Sequence, residues 1–325
     1  AGAAIPLMNI AQVGVTAGKW AMVDTAVARL DEVAPPFGDW HRAMAFAARR
    51  EFGPAEERMR FVRDEVTGSA FLLARTTDWL AAIVAVRGRL AEADEYRRQS
   101  AELSEENGSD VEALRTLAAG IVATALARRA ERSAALDAAL ARYPLEDMDP
   151  VARPYLDVAA AYAAVGDPAA ARRLVAEFER TTPGNHQRGL RYQHHEVLGA
   201  IALRERLYDE AIARFRQSSS RPQEIMPIVN LARAFDAAGQ ADSARVHYRR
   251  FLNSPHWLSL VSAHIWYLAS SLERLAQLED EAGDPEAAAP LYAEFVSLWE
   301  NADPELRPRV DQARRRLEAI VAARG

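Results

Sequence analysis

The chain has 325 residues, of which 50% are hydrophobic and 26% are charged, so it carries enough apolar material to form a folded core. The absence of cysteine excludes disulfides, thiolate nucleophiles and cysteine-ligated metal or iron–sulfur sites. A net charge of −6, with Arg alternating with Glu and Asp, argues against nucleic acid as a partner, and no run approaches the ~20 apolar residues needed for membrane insertion.

The first segment begins at Ala1 without a methionine and is mostly apolar up to Val13. Two origins are compatible with such a start: an excised fragment of a longer protein, or a mature chain whose export signal has been removed. The first would place the chain in the cytoplasm and the second outside it. We keep both as expectations.

From Leu7 to Arg324 apolar residues recur at three- and four-residue spacing, which predicts paired amphipathic helices separated by turns containing Gly, Pro or Asp. In the first half, Gly18 and Gly88 mark turns of this kind, but the spacing between units is irregular. We therefore interpret residues 1–151 as degenerate repeats. The last segment, residues 304–325, is predicted to be a single helix that caps the array.

Residues 152–303 repeat one pattern closely, in which a small residue is followed at nearly fixed offsets by Gly, Ala and an aromatic side chain. Small residues at these positions let neighbouring helices approach one another. The pattern occurs as Ala159, Gly166, Ala171 and Phe178, as Gly199, Ala211 and Phe215, as Ala232, Gly239, Ala244 and Tyr248, and as Ala276, Gly283, Ala288 and Tyr292.

This pattern resembles the tetratricopeptide repeat, a helix–turn–helix unit of 34 residues. The resemblance implies an all-α, right-handed superhelical α-solenoid of about eight helix pairs plus the C-terminal capping helix, in which each unit contacts only its neighbours. The C-terminal half is also similar to repeat arrays attached to kinase or transcriptional-regulator domains of high-GC bacteria. Such arrays serve as interaction or sensory modules.

Two segments approach catalytic motifs and fail at residues that the chemistry requires. Residues 14–20 resemble a phosphate-binding loop, but the segment is one residue short and has Trp20 where a magnesium-binding Ser or Thr is needed. His195-Glu196 begins like a zinc-protease helix, yet Gly199 stands where the second His belongs. We therefore predict no catalytic residue, no metal site, no cofactor and no enzymatic activity.

The resemblance also implies where a ligand binds, because the first helix of each unit lines a concave groove in proteins of this type. We predict a protein or peptide partner there. A solvated inner face without a ligand is the alternative, and the Lys/Asn pattern that clamps a C-terminal carboxylate in some family members is absent. The predicted groove residues are Arg153, Asp157, Gln193, Glu196, Asn230, Arg233, Asp236, Arg274 and Gln277.

A second hypothesis is structural. Solenoids normally need a polar outer face at each end, yet Ile5, Leu7, Ile10 and Val13 make the first helix apolar. This face predicts head-to-tail self-association, which can extend into a filament because a heterologous contact does not close by itself.

Overall fold

The computed structural model describes residues 4–128, 133–218, 225–254 and 263–323. Within these ranges the chain is all-α and has no strand. The helices are Ala4–Thr16 (α1), Trp20–Val33 (α2), Pro35–Ala48 (α3), Phe52–Glu65 (α4), Ala70–Val86 (α5), Leu90–Glu106 (α6), Asp110–Arg128 (α7), Ser133–Arg142 (α8), Tyr155–Val165 (α9), Pro168–Thr181 (α10), Gly184–Gly189 (α11), Arg191–Arg204 (α12), Tyr208–Gln217 (α13), Ile225–Ala237 (α14), Ala241–Leu252 (α15), Ala263–Glu281 (α16), Pro285–Leu298 (α17) and Arg307–Ala322 (α18).

Successive helices pack as antiparallel pairs. In the described part of the chain these pairs are α1–α2, α3–α4, α5–α6, α7–α8, α9–α10, α12–α13, α14–α15 and α16–α17. The short helix α11 precedes α12, and α18 packs on α17 as the predicted cap. The predicted helical-repeat solenoid is thus confirmed. The division at residue 151 stays a prediction.

The Gly-Asp-Pro turns end one helix and start the next. Gly166 has a left-handed φ of 95°, and the Asp167 carboxylate accepts a hydrogen bond from the backbone N–H of Ala170 at 2.8 Å. Asp284 caps α17 in the same way through the N–H of Ala287, at 3.0 Å. These caps satisfy backbone groups that a helix start leaves unpaired, which favours a sharp turn within each pair.

The turn that joins the two helices of a pair, here called the intra-pair turn, contains one left-handed residue in each pair for which the structure describes it. Because a side chain in this conformation crowds the following carbonyl, glycine is favoured there. Five of these described turns have Gly, at positions 18, 88, 166, 239 and 283. The other two have Arg50, with φ 64°, and Arg206, with φ 63°.

The small residues of the repeat lie at helix crossings. Ala159, Ala171, Ala232 and Ala244 are fully buried. A Cβ added at Gly199 would lie 2.6 Å from the Phe215 ring, which has no room to move because it is itself fully buried.

The third helix pair also contacts the C-terminal part of the array. The end of α5 and the start of α6 pack against the segment that joins α17 to α18, in what we call the closure contact. The Trp299 indole N–H donates to the carbonyl of Val86 at 3.1 Å, and the N–H of Asp303 donates to the carbonyl of Gly88 at 3.0 Å. The Asp303 carboxylate accepts from the N–H of Ala91 at 2.9 Å.

Two further arginines join distant parts of the chain. The Arg50 guanidinium donates to the carbonyl of Leu252 and to Glu294, the latter at 2.6 Å. Arg309 donates to the carbonyl of Ala127 at 2.6 Å and lies over the Trp299 ring.

As a result, described residues from 11–96 and from 202–218, 225–254 and 263–320 share one hydrophobic core, while two smaller cores lie among the described residues between them. The expectation that each unit contacts only its neighbours is therefore wrong for the third pair, α5–α6, which contacts the C-terminal part of the array. Bending of the solenoid brings α16 against both α5 and α7.

Candidate functional site

The first helices of five consecutive pairs, α7, α9, α12, α14 and α16, surround a cavity of about 1040 Å³. The contact of α16 with α7 completes the ring of helices around it. A cavity of this size is at the upper end of the range found for ligand sites in proteins. Ala160, Ala164 and Ala200 line part of it, so its width results from small side chains on the inner faces.

Polar side chains connect neighbouring helices across the cavity wall. Gln193 on α12 donates to the Asp157 carboxylate on α9, with a separation of 3.0 Å. Asn230 on α14 donates to Glu196 on α12 at 3.3 Å. We call this set of inter-helix hydrogen bonds the inner polar ladder.

The ladder continues from α14 to α16 through two arginines. Arg274 donates through two nitrogens to the Asp236 carboxylate, at 2.9 and 3.0 Å. Arg233 donates to Asn230 and to the Tyr267 hydroxyl, both at 3.1 Å. Because these bonds hold the side chains in defined positions, the cavity wall presents a fixed pattern of amides, carboxylates and guanidinium groups.

Burial changes the acid–base behaviour of this wall. Desolvation raises the pKa of Glu196 to about 7, although the Asn230 hydrogen bond and the nearby Arg233 act in the opposite direction. Desolvation also raises the pKa of Asp157, against the lowering effect of Arg115, and raises that of the Tyr267 hydroxyl. Glu196 therefore changes protonation state near neutral pH.

The charge of the lining differs in sign from that of the whole chain. Among the described residues, five arginines and three carboxylates line the cavity: Arg115, Arg204, Arg206, Arg233 and Arg274, with Asp157, Glu196 and Asp236. The chain itself has a net charge of −6. A local positive potential of this kind attracts anionic groups.

The structure brings seven of the nine predicted groove residues together on the cavity wall: Asp157, Gln193, Glu196, Asn230, Arg233, Asp236 and Arg274. Arg153 lies outside it, because it precedes α9 and its guanidinium donates to the carbonyls of Glu146 and Met148. Gln277 lies outside as well, in a separate cavity of about 630 Å³ between α16 and α18. A ligand-binding role for these residues stays a prediction.

Sequence reasoning missed several residues of the site. Arg115 lies on α7 and contacts Asp157 at 3.5 Å, but its repeat matches the pattern poorly. Trp266 and Tyr267 add aromatic surface on α16, and neither was among the predicted groove residues. Arg206 stands where most repeats have Gly, so aligning the intra-pair turns could have revealed it.

The predicted self-association face lies on α1. Ile5 is 66% exposed and Val13 is 60% exposed, while Ile10 is exposed and Leu7 is partly buried. The face is therefore apolar and largely open to solvent.

The two incomplete motifs are parts of the repeat framework. Gly14 is buried, and a Cβ there would lie 2.7 Å from a Val23 methyl group, while Gly18 forms an intra-pair turn. Gly199 packs on Phe215. Within the described ranges, no group of three or more His, Asp or Glu side chains could hold a metal ion. Nor does any described helix combine the length and hydropathy of a membrane span.

Several solved structures are similar to this chain. Human IFIT1, solved as a dimer with m7Gppp-AAAA, has a TM-score of 0.50 at 15% identity, over 97% of this chain and 72% of its own. A Pyrococcus horikoshii signal-transduction ATPase with a tetratricopeptide repeat sensor has a TM-score of 0.39 at 14% identity, over 98% and 49%. MamA from Desulfovibrio magneticus has a TM-score of 0.34 at 18% identity, over 65% and 97%.

No protein-family model matches the sequence, and a comparison with curated proteins finds no match. At 15% identity the likeness to IFIT1 shows a shared helical-repeat fold and says nothing about ligands.

Proposed function

We propose that this chain is a non-enzymatic binding module that holds an extended peptide segment of a partner protein in the cavity. The observation that carries the proposal is the inner polar ladder. The side-chain amide of Gln193, which is only partly buried, can donate to a peptide carbonyl and accept from a peptide N–H, which suits an extended backbone.

The size of the cavity supports the same ligand class. Its apolar lining accommodates side chains, while Arg233 offers N–H donors without a carboxylate within ion-pair distance in the described part of the chain. A guanidinium that donates to neutral partners retains its full charge for a ligand.

Selection from a random peptide library tests this function. We expect the unmodified chain to enrich a set of peptides that the variant with both Ala164→Trp and Ala200→Trp does not enrich, because two indole rings would project into the cavity. The exposed substitution Ala169→Trp on α10 is the matched control and should enrich the same peptides as the unmodified chain. Circular dichroism verifies that each variant is folded.

Two results of the selection would contradict a peptide-binding cavity. The first is equal enrichment by the unmodified chain and the double variant, which would place binding elsewhere on the surface. The second is the absence of any enrichment by the unmodified chain.

The exposed apolar face of α1 favours a second candidate function, self-association. We expect the molar mass from light scattering to rise with protein concentration, and the rise to disappear when Ile5→Glu and Val13→Glu add charge to that face. Ala169→Glu, which adds one charge to another exposed surface, should leave association unchanged. A constant mass near 35.8 kDa over a hundredfold concentration range would contradict assembly.

A further inference from the structure

We propose that Arg206, together with Arg204, makes the cavity selective for an acidic peptide segment. This inference rests on the proposed function and names the ligand class for the same cavity. Arg206 occupies the left-handed position of its intra-pair turn, where five other described turns have glycine.

The two arginines in intra-pair turns differ in what their side chains do. Arg50 contributes to the contacts between distant helices, because its guanidinium donates to the Leu252 carbonyl and to Glu294. These contacts account for an arginine at a position whose left-handed backbone conformation favours glycine. The Arg206 guanidinium has no ion pair or hydrogen bond with any residue that the structure describes, and Arg206 is exposed and lines the cavity. A strained residue at a binding cavity is a reason to look for a ligand contact.

The charges of the other lining residues show which ligand would gain from this contact. Arg115 lies 3.5 Å from the Asp157 carboxylate, and Arg274 pairs with Asp236. In the described part of the chain, Arg204, Arg206 and Arg233 have no carboxylate within ion-pair distance. The lining therefore has three arginines without an ion pair and one remaining carboxylate, that of Glu196, so a ligand with carboxylates would complete the ion pairing.

The same lining disfavours single-stranded RNA. A phosphodiester chain carries one negative charge at every nucleotide, so it would bring phosphates close to Asp157 and Glu196. A peptide has carboxylates only on particular side chains and uncharged amides between them, which matches a wall on which Gln193 and Asn230 alternate with charged groups.

Fluorescence anisotropy with four labelled probes tests the inference: the peptides (Gly-Glu)5, (Gly-Ser)5 and (Gly-Lys)5, and the oligonucleotide rA10. At low ionic strength we expect (Gly-Glu)5 to bind at least about tenfold more tightly than (Gly-Ser)5, and (Gly-Lys)5 to bind most weakly. The binding of (Gly-Glu)5 should weaken as salt is added, and it should be lost in the double tryptophan variant.

The decisive variant is Arg206→Gly. Glycine suits the left-handed turn, so the thermal midpoint should stay the same or rise, while the affinity for (Gly-Glu)5 should fall about 3- to 10-fold. Arg314→Gln on α18, which removes the same charge far from the cavity, is the control and should change neither quantity. A loss of affinity without a loss of stability separates ligand contact from a structural role.

The possible failures are distinct. If (Gly-Ser)5 binds as tightly as (Gly-Glu)5 and the double tryptophan variant blocks both, the acidic selectivity is wrong and the proposed function survives. If Arg206→Gly leaves the affinity for (Gly-Glu)5 unchanged, Arg206 is not a selectivity residue. Cavity-dependent binding of rA10 alone, or no cavity-dependent binding of any peptide, would overturn the acidic selectivity and the peptide-binding function together.

Discussion

Replacing Trp299 with alanine is expected to lower the free energy of unfolding by about 3–5 kcal/mol, as for other truncations of buried tryptophans. Trp299 is 3% exposed and its ring packs on Gly88, where an added Cβ would lie 3.2 Å from the indole. Its N–H also donates to Val86. Truncation would therefore leave a void in the closure contact and an unpaired carbonyl on α5.

Urea denaturation followed by circular dichroism measures the loss, and small-angle scattering of the native state measures the radius of gyration. We expect the radius of gyration to increase for Trp299→Ala, because the C-terminal part of the array separates from α5 and α6. Trp299→Phe keeps most of the packing and should lose less stability. Trp20→Ala, at a partly buried site of the same core, is the control, and its radius of gyration should not change. If Trp299→Ala lost stability as expected but its radius of gyration did not change, the role of Trp299 in holding the closure contact together would be contradicted.

The second large effect concerns pH. We expect Glu196→Gln to stabilise the protein at pH 8 by about 1–3 kcal/mol and to have little effect at pH 4.5, given a folded-state pKa of about 7 against an ordinary value of 4.5. Between these two values the folded chain binds a proton that the unfolded chain has lost. The contribution of Glu196 is therefore most favourable below about pH 4.5 and is lost as the pH rises through about 7.

The difference in unfolding free energy between the two proteins, measured by urea denaturation at several pH values, isolates this carboxyl group. Asp157, whose pKa burial also raises, is present in both proteins and largely cancels. Glutamine keeps an oxygen that can accept from Asn230. Glu286→Gln, at an exposed position on α17, is the control and should give a much smaller difference. A difference for Glu196→Gln that does not vary between pH 4.5 and 8 would show that Glu196 has no raised pKa.

Much of the fold could be predicted because the determinants of a helix pair are local in sequence. Gly166-Asp167-Pro168 encodes a helix end, a cap and a helix start within three residues, and small residues such as Ala159 mark the crossings. The closure contact could not be predicted. Trp299 and Gly88 look like an ordinary core aromatic and an ordinary turn glycine, and their contact depends on the curvature summed over all the repeats between them.

Part of the site could be predicted from the resemblance to the tetratricopeptide repeat, in which the first helix of each unit lines a concave groove. That resemblance nominated Asn230, Arg233 and Asp236, and all three line the cavity. Arg153 lies outside the cavity because α9 starts two residues later, at Tyr155. Arg206 was not among the predicted groove residues because it lies in the turn between α12 and α13, where a side chain has no helical face to indicate its direction.

The closure contact has a consequence for the order in which the chain folds. In a linear repeat array each unit adds to a preformed neighbour, so folding can start anywhere and stop at any unit. Here the indole of Trp299 meets a carbonyl 213 residues earlier in the chain, and the entropy lost in bringing such distant segments together must be overcome before their contacts contribute. A chain emerging during synthesis therefore cannot form the closure contact until α17 and the segment after it are available, and it cannot complete the shared core until α18 follows.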